Sequence, residues 1–137
     1  GCHNKCNYDM ALSYYSKSLA IMQQVLGENH KDTAATYNNI GLIYLDQCDY
    51  DLALKYHSKA LAIRQQVLGE KHPDTAMSYN NIGLAYDCKG DFGIALGYYN
   101  TALAILEQTL PNHPYISTIK NNITDCEKDL KSTNNKQ

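Results

Sequence analysis

The 137-residue sequence has no tryptophan, one phenylalanine, three prolines and a single arginine, Arg64. Lysine and arginine together number 12 against 14 aspartates and glutamates, so the chain lacks the basic excess typical of nucleic-acid binders. No apolar run reaches the roughly eighteen residues that a membrane helix needs, and the first residues do not have the pattern of a secretory signal. With 44% hydrophobic and 19% charged residues, a chain of this length predicts one packed domain.

Strand-forming valine is also scarce, since it occurs only at Val25 and Val67, whereas alanine and leucine are abundant. This balance favours helices over strands. The five cysteines are odd in number and too widely spaced for a disulfide scaffold, which predicts reduced thiols and a cytoplasmic chain. Cys2 and Cys6 have the spacing of half a zinc site, but no second Cys/His pair accompanies them, so we predict no metal.

A repeat of 42 residues organises the sequence. The segment that begins at Tyr8 recurs from Tyr50 with about two thirds of its positions identical and no gap, and a third copy begins at Phe92. The third copy loses one residue in its loop, so that Asn122 corresponds to Asn81. A tandem period of this length is typical of solenoids, in which each unit buries its apolar face against its neighbours.

Each unit contains two helical stripes. Apolar and small residues recur at helical spacing, glycines follow Leu26 and Leu68 where a helix ends, and prolines follow His72 and His113 where a helix begins. We therefore predict an all-α fold with helices at 8–26, 32–47, 50–68, 74–89, 92–109 and 114–131. The repeat units lie near 8–49, 50–91 and 92–131, and residues 132–137 are expected to form a disordered polar tail.

Two glycines, Gly41 and Gly83, fall in the middle of predicted helices, where glycine costs roughly 1 kcal/mol relative to alanine. Because this cost recurs at matched positions, it predicts a close approach of the partner helix at both places.

The unit resembles a tetratricopeptide repeat. The aromatic–x2–Leu–Gly–x2–Tyr pattern of that family is matched by Tyr79, Ile82, Gly83 and Tyr86, and by the equivalent residues 37–44. The 42-residue length and the Ala-Leu-Ala-Ile-x-Gln-Gln-Val-Leu-Gly-Glu-x-His segment are similar to the kinesin-light-chain type and to nephrocystin-3-like arrays. The resemblance implies an α–α superhelix that acts as a scaffold or cargo adaptor by binding a protein or peptide in a concave groove.

In such arrays the first helix of each unit lines the groove. Carried over by motif position, the resemblance assigns the groove to Asn38, Asn39, Leu42, Leu45, Asp46, Met77, Asn80, Asn81, Leu84, Asp87, Asn121, Asn122 and Asp125. An asparagine amide both donates and accepts hydrogen bonds, so it can bind the backbone of a peptide whatever side chains that peptide has. Other interpretations stay open: the paired asparagines could reflect recent duplication alone or could link neighbouring helices, and Leu42 and Leu84 could belong to the core.

The basic groove residues by which kinesin light chains bind acidic-flanked peptides are missing at the matching positions. Asp46, Asp87 and Asp125 fall on or near the predicted groove with only Lys120 and Lys128 close by. We therefore expect a preference for neutral, apolar or basic peptides.

Catalytic signatures are absent from the sequence. No Ser/His/Asp order and no glycine-rich phosphate loop occurs, so we predict neither an enzyme nor a cofactor. His30, His72 and His113 recur in the loops between units, one unit apart, which favours a role in the loop or at the start of a helix over a shared metal. His57 takes a position that Tyr15 and Tyr99 hold in the other copies, which favours packing.

The ends of the sequence suggest a piece of a longer array. Residues 1–7 align with the end of a first-type helix whose beginning is missing, and the last helix is polar, with Thr124 in place of the glycine. The unpaired first helix allows an alternative function, in which the chain is a structural spacer or self-association element of a larger signalling protein or enzyme.

Overall fold

Six helices make up the part of the chain that the computed structural model describes, residues 5–135, and no strand occurs within that range. In chain order they are α1 (Lys5–Val25), α2 (Lys31–Asp46), α3 (Tyr50–Val67), α4 (Pro73–Lys89), α5 (Phe92–Thr109) and α6 (Tyr115–Asn135). The predicted all-α, helical-repeat fold is therefore confirmed.

Most predicted helix ends agree with the structure to within one residue, and two do not. α1 begins at Lys5, three residues earlier than predicted. α6 continues to Asn135, so residues 132–135 are helical and the prediction of a disordered tail is wrong for them, while residues 136–137 lie outside the described range. No glycine or proline occurs after Pro114 to end the helix earlier. The Thr133 hydroxyl donates a hydrogen bond to the Asp129 carbonyl at 2.9 Å within this last part of α6.

The chain forms two compact units, residues 1–70 and 71–137, where its length predicted one domain and its repeats predicted three units. Each compact unit contains three helices, α1 to α3 in the first and α4 to α6 in the second. In the first, α2 packs against both α1 and α3; in the second, α5 packs against α4 and α6. The sequence therefore repeats in units of two helices, whereas the helices pack in two groups of three.

The histidines between the repeats act as helix caps, as their position predicted. The Nδ1 atoms of His30, His72 and His113 accept the backbone N–H two residues further on, each at 3.0 Å. This bond satisfies one of the N–H groups that the first turn of a helix leaves without a partner. Pro73 follows His72 at the first position of α4, where a proline has no N–H to lose.

The two mid-helix glycines lie where the helices of a hairpin meet, which confirms the predicted close approach. A Cβ placed on Gly41 would come within 2.8 Å of the His57 ring, and one on Gly83 within 2.8 Å of the Tyr99 ring. His57 and Tyr99 are both fully buried. Because these glycines have no Cβ, each leaves space for a ring of the next helix. The helices of the α2–α3 and α4–α5 pairs therefore pack close together.

Stacked tyrosines cover the same two contacts. Tyr44 stacks on Tyr56 with ring centres 5.6 Å apart, and Tyr86 stacks on Tyr98 at 5.7 Å. The α2–α3 and α4–α5 hairpins thus have the same packing, and residues outside these helix contacts are available for other contacts.

Candidate interaction surfaces

On α2 the predicted binding residues lie beside the hairpin contact. Leu42 and Asp46, four residues apart, are exposed on one side of the helix, while Asn38, Asn39 and Leu45 are half-buried. Leu42 is 40% exposed and is not part of the core of the first unit, which is built from Ala34, Tyr37, Ala60 and Ile63 with Leu19 and Tyr56 against them. The alternative assignment of Leu42 to the core therefore has no support here, and α2 presents leucine, amides and a carboxylate together.

Asp46 has a partner within its own unit. The Tyr8 hydroxyl donates a hydrogen bond to Asp46 Oδ2. Asp46 nevertheless stays exposed on the surface of α2.

On α4 the paired asparagines are buried. Asn80 is fully buried, and its Nδ2 donates to the Tyr115 hydroxyl at 2.8 Å while its Oδ1 accepts from Asn122 Nδ2 at 3.2 Å. Asn81 is only 6% exposed. For Asn80 and Asn122 the structure thus has the bonds between neighbouring helices that the sequence left open as an alternative to ligand contact.

Asp87 is directed into its own unit. Its Oδ2 accepts a hydrogen bond from the Tyr99 hydroxyl at 2.8 Å. Burial raises the pKa of Asp87 and the bond from Tyr99 opposes that rise, while burial and the Asp87 carboxylate both raise the pKa of Tyr99. This pair ties α4 to α5, which gives Asp87 a structural contact in addition to the predicted ligand contact.

The remaining predicted residues of the second unit differ in exposure. Met77 and Leu84 are half-buried, and Leu84 packs against the core of the unit. Asn121 and Asp125, four residues apart on α6, are exposed on one side of that helix. The second unit thus presents an amide and a carboxylate on α6, next to an α4 whose polar side chains are largely used internally.

The two free cysteines of the described residues, Cys88 and Cys126, both have thiol pKa values raised by burial. Burial raises the pKa of the Cys126 thiol to about 12, and its Sγ donates to the Phe92 carbonyl at 3.4 Å. Cys88 is a free thiol whose pKa is also raised by burial, whereas Cys48 is disulfide-bonded. The prediction that all the thiols are reduced is therefore wrong for Cys48, because nothing in its sequence spacing distinguishes it from the other cysteines.

Neither a metal-binding cluster nor a membrane span occurs in the described part of the chain. Within residues 5–135 no group of three or more His, Cys, Asp or Glu side chains is arranged to hold a metal ion. The same range contains no helix that is both long enough and apolar enough to cross a membrane.

The sequence predicted an unpaired first helix, but it did not single out the residues that the structure exposes on α1. Met10, Tyr14, Ile21 and Val25 of α1 are between 62% and 73% exposed. The signal was present in the repeat alignment, since the equivalent positions in the next copy are Leu52, Tyr56, Ile63 and Val67, which read as a packing stripe.

The family model described as "Tetratricopeptide repeat" matches residues 2–55 and 32–108. No curated protein matches the sequence of this chain. The crystal structure of BtubC (BKLC) from P. vanneervenii is similar over 91% of this chain and 50% of its own, with a TM-score of 0.82 and 27% identity.

Crystal structures of a putative kinesin light chain of Podospora anserina, with nearly identical repeats, and of a point variant of that protein each give a TM-score of 0.73 at 18% identity. They cover 93% of this chain and 66% of theirs, so the chain spans half to two thirds of the length of these structures. The likeness to the Podospora proteins concerns the fold alone. The family match extends over far more than half of the sequence, and the chain therefore belongs to the tetratricopeptide repeat family, with kinesin light chain-like arrays among its structural neighbours.

Proposed function

We propose that the chain is a non-enzymatic protein-interaction module that binds a peptide or a partner's helix on the first helices of its repeats, α2, α4 and α6. The observation that carries the proposal is the surface of α2, where exposed Leu42 stands between half-buried Asn38 and exposed Asp46. We call these three residues, together with Asn39 and Leu45, the α2 surface. An apolar side chain flanked by amides is suited to bind one ligand side chain and the backbone beside it.

The asparagines within this proposal are not equivalent. Asn38 and Asn39 keep part of their surface exposed, whereas Asn80 has none and is bonded on both sides of its amide. We therefore base ligand contact in the first unit on the α2 surface, and in the second unit on Asn121 and Asp125 with partly exposed Met77 and Leu84. Asn80, Asn122 and Asp87 support these surfaces through their contacts with Tyr115 and Tyr99.

Charge favours neutral, apolar or basic ligands. The α2 surface contains one carboxylate and no cation, since Lys31 at the start of α2 is the only basic residue of that helix. A basic side chain next to Asp46 would gain an ion pair there, and an acidic one would meet a like charge. Because these groups are exposed, the preference should weaken as the salt concentration rises.

The test is a peptide array probed with the full 137-residue chain. Peptides of about fifteen residues that vary in charge and apolar content would be compared for capture by the wild type, by Leu42→Asp and by Leu110→Asp. Leu42 and Leu110 are almost equally exposed, at 40% and 41%, and Leu110 lies outside the proposed surfaces. We expect Leu42→Asp to lose the apolar peptides that the wild type and Leu110→Asp both capture.

Circular dichroism would show whether both variants keep their helices. Equal capture by all three proteins would reject the α2 surface, and tight, salt-sensitive capture of acidic peptides would reject the charge preference. A wild type that captures no peptide at all would reject the function itself.

A cytoplasmic location belongs to the same proposal, and the disulfide at Cys48 counts against it, because cytoplasmic thiols are normally kept reduced. Alkylation of the protein directly on cell lysis would show whether Cys48 is reduced in the cell.

A further inference from the structure

The turn between α2 and α3 contains a cysteine where the turn between α4 and α5 contains a glycine. Cys48 has a φ of 64°, and within residues 5–135 it is the one residue other than glycine with a positive φ. A shift of 42 residues aligns it with Gly90, whose φ is 93°. Glycine takes this left-handed conformation freely, whereas a residue with a Cβ takes it at a cost in free energy. Cys48 therefore occupies a position that favours glycine.

Both turns end the preceding helix with the same pair of backbone hydrogen bonds. In the first turn the Cys48 N–H donates to the Leu45 carbonyl at 3.0 Å, and the Asp49 N–H donates to the Tyr44 carbonyl at 2.9 Å. The N–H groups of residues 90 and 91 make the equivalent bonds at the same distances in the second turn. This pair of bonds needs a left-handed residue directly after the helix. The last turn of α2, which contains two residues of the α2 surface, thus depends on the conformation of Cys48.

Cys48 is also the residue of the described chain that forms a disulfide. The residue is exposed, so a small thiol in solution has access to the bond. Exposed disulfides are more readily reduced than buried ones and are often regulatory, and in a reducing compartment they are normally transient or redox-sensing. The bond restrains a cysteine that would otherwise leave the left-handed conformation more easily, and the two backbone hydrogen bonds benefit from this restraint.

We propose that the α2–α3 turn is a redox-sensitive switch, in which the disulfide at Cys48 holds the last turn of α2 in place and its reduction releases that turn. In the reduction a dithiol gives two electrons and two protons to the sulfur pair: the S–S bond breaks, both cysteines become thiols, and the dithiol becomes a cyclic disulfide. After reduction only the two backbone hydrogen bonds oppose the cost of the left-handed cysteine, so α2 frays from its C-terminal end.

The effect of this switch on binding rests on the proposed function. Leu45 and Asp46 of the α2 surface lie in the last turn of α2, and Asp46 is its carboxylate. Release of this turn therefore removes the group that would pair with a basic ligand, and reduction should weaken the capture of basic peptides.

The first test measures amide hydrogen exchange by NMR in the full 137-residue chain, without any ligand. The disulfide-bonded protein is compared before and after treatment with dithiothreitol. We expect the Cys48 and Asp49 amides to exchange at least about fivefold faster after reduction. The Gly90 and Asp91 amides make the same hydrogen bonds in a turn with glycine, so their exchange should not change and they serve as the internal control.

Two variants at position 48 separate the disulfide from the backbone conformation. Cys48→Gly removes the disulfide and the cost of the left-handed conformation together, so its Asp49 amide should be as protected as in the disulfide-bonded wild type. Cys48→Ala removes the disulfide and keeps the cost, so its Asp49 amide should exchange at least about fivefold faster. Dithiothreitol should change the exchange of neither variant.

Peptide capture tests the consequence for the α2 surface separately. The same three proteins would be applied to the peptide array with and without dithiothreitol. Basic peptides should bind at least about threefold more weakly to the reduced wild type and to Cys48→Ala than to the disulfide-bonded wild type and to Cys48→Gly. A wild type that captures no peptide in either state, yet shows the difference in exchange, would reject the proposed function and support the switch.

Three outcomes would overturn the switch. The first is a Cys48 thiol that alkylation finds free after the chain has been treated with oxidised glutathione. The second is unchanged exchange of the Cys48 and Asp49 amides on reduction, and the third is equal protection of the Asp49 amide in Cys48→Ala and Cys48→Gly. Capture of basic peptides that is the same in both redox states would overturn the effect on the α2 surface.

Discussion

The imidazole ring of His57 lies directly against Gly41, so close that a Cβ on the glycine would stand 2.8 Å from Cε1 and Nε2 of the ring. Both ring nitrogens are buried, and neither has a hydrogen-bond partner within residues 5–135. In the second hairpin Tyr99 occupies the same place against Gly83, but its hydroxyl donates to Asp87. The first hairpin thus contains a buried polar ring without the acceptor that the second one provides, because Leu45 stands where Asp87 stands in the other copy.

His57 makes the protein sensitive to acid in a defined range of pH. Burial, with a smaller contribution from Arg64, lowers the pKa of His57 from 6.5 to about 4. Between those values the unfolded chain binds a proton that the folded chain does not, so the free energy of unfolding falls as the pH drops from about 6.5 to about 4 and is unaffected by this group below that. The loss is about 3 kcal/mol over the whole range.

Urea denaturation at about pH 7.5 and about pH 4.5 would measure this effect, with His57→Phe as the control. Phenylalanine keeps a ring against Gly41 and has no proton to bind, so its free energy of unfolding should change less between the two pH values. The same pH dependence in both proteins would place the acid sensitivity in other groups.

A pair of glycines separates close packing from helix propensity. Gly83 and Gly97 both lie inside helices, and a Cβ on Gly83 would meet the Tyr99 ring at 2.8 Å and the Ala95 carbonyl oxygen at 3.3 Å, whereas one on Gly97 would meet nothing within 4 Å. Gly97→Ala should raise the free energy of unfolding by roughly 0.5–1 kcal/mol. Gly83→Ala should lower it by about 1–3 kcal/mol, because the two helices must move apart. Thermal and urea denaturation of the two variants, side by side, would check both signs, and a gain in stability for Gly83→Ala would contradict the close contact.

The contacts that sequence reasoning predicted are those that repeat. The cost of a mid-helix glycine at two matched positions indicated a close approach, and the histidines between the repeats were predicted at helix starts because each stands at the same point of its copy. Such features follow from the local chemistry of the chain, and every copy is an independent observation of them.

Sequence reasoning could not predict the contacts that depend on differences between the copies of the repeat. The sequence grouped Asp46 with Asp87, but a shift of 42 residues aligns Asp87 with Leu45, so the two carboxylates lie on different sides of their helices. One is exposed and accepts from Tyr8, and the other is partly buried and accepts from Tyr99. Asn38 and Asn80 do align, yet only Asn80 is fully buried, because Tyr115 and Asn122 of α6 provide its partners.

The last prediction concerns whether the buried asparagine of α4 is there for stability. Asn80→Ala removes the acceptor of the Asn122 amide and the donor to the Tyr115 hydroxyl, and it leaves a small cavity where α4 meets α6. We expect the free energy of unfolding to fall by about 1–3 kcal/mol. Asn121→Ala, one residue from Asn122 and exposed, should change it by less than about 0.5 kcal/mol. Urea denaturation of both variants would measure the difference, and the peptide array would be run on the same two proteins. If Asn80→Ala keeps near-wild-type stability but loses peptide capture, Asn80 belongs to the binding surface. If it loses stability and keeps peptide capture, Asn80 is a polar link between α4 and α6.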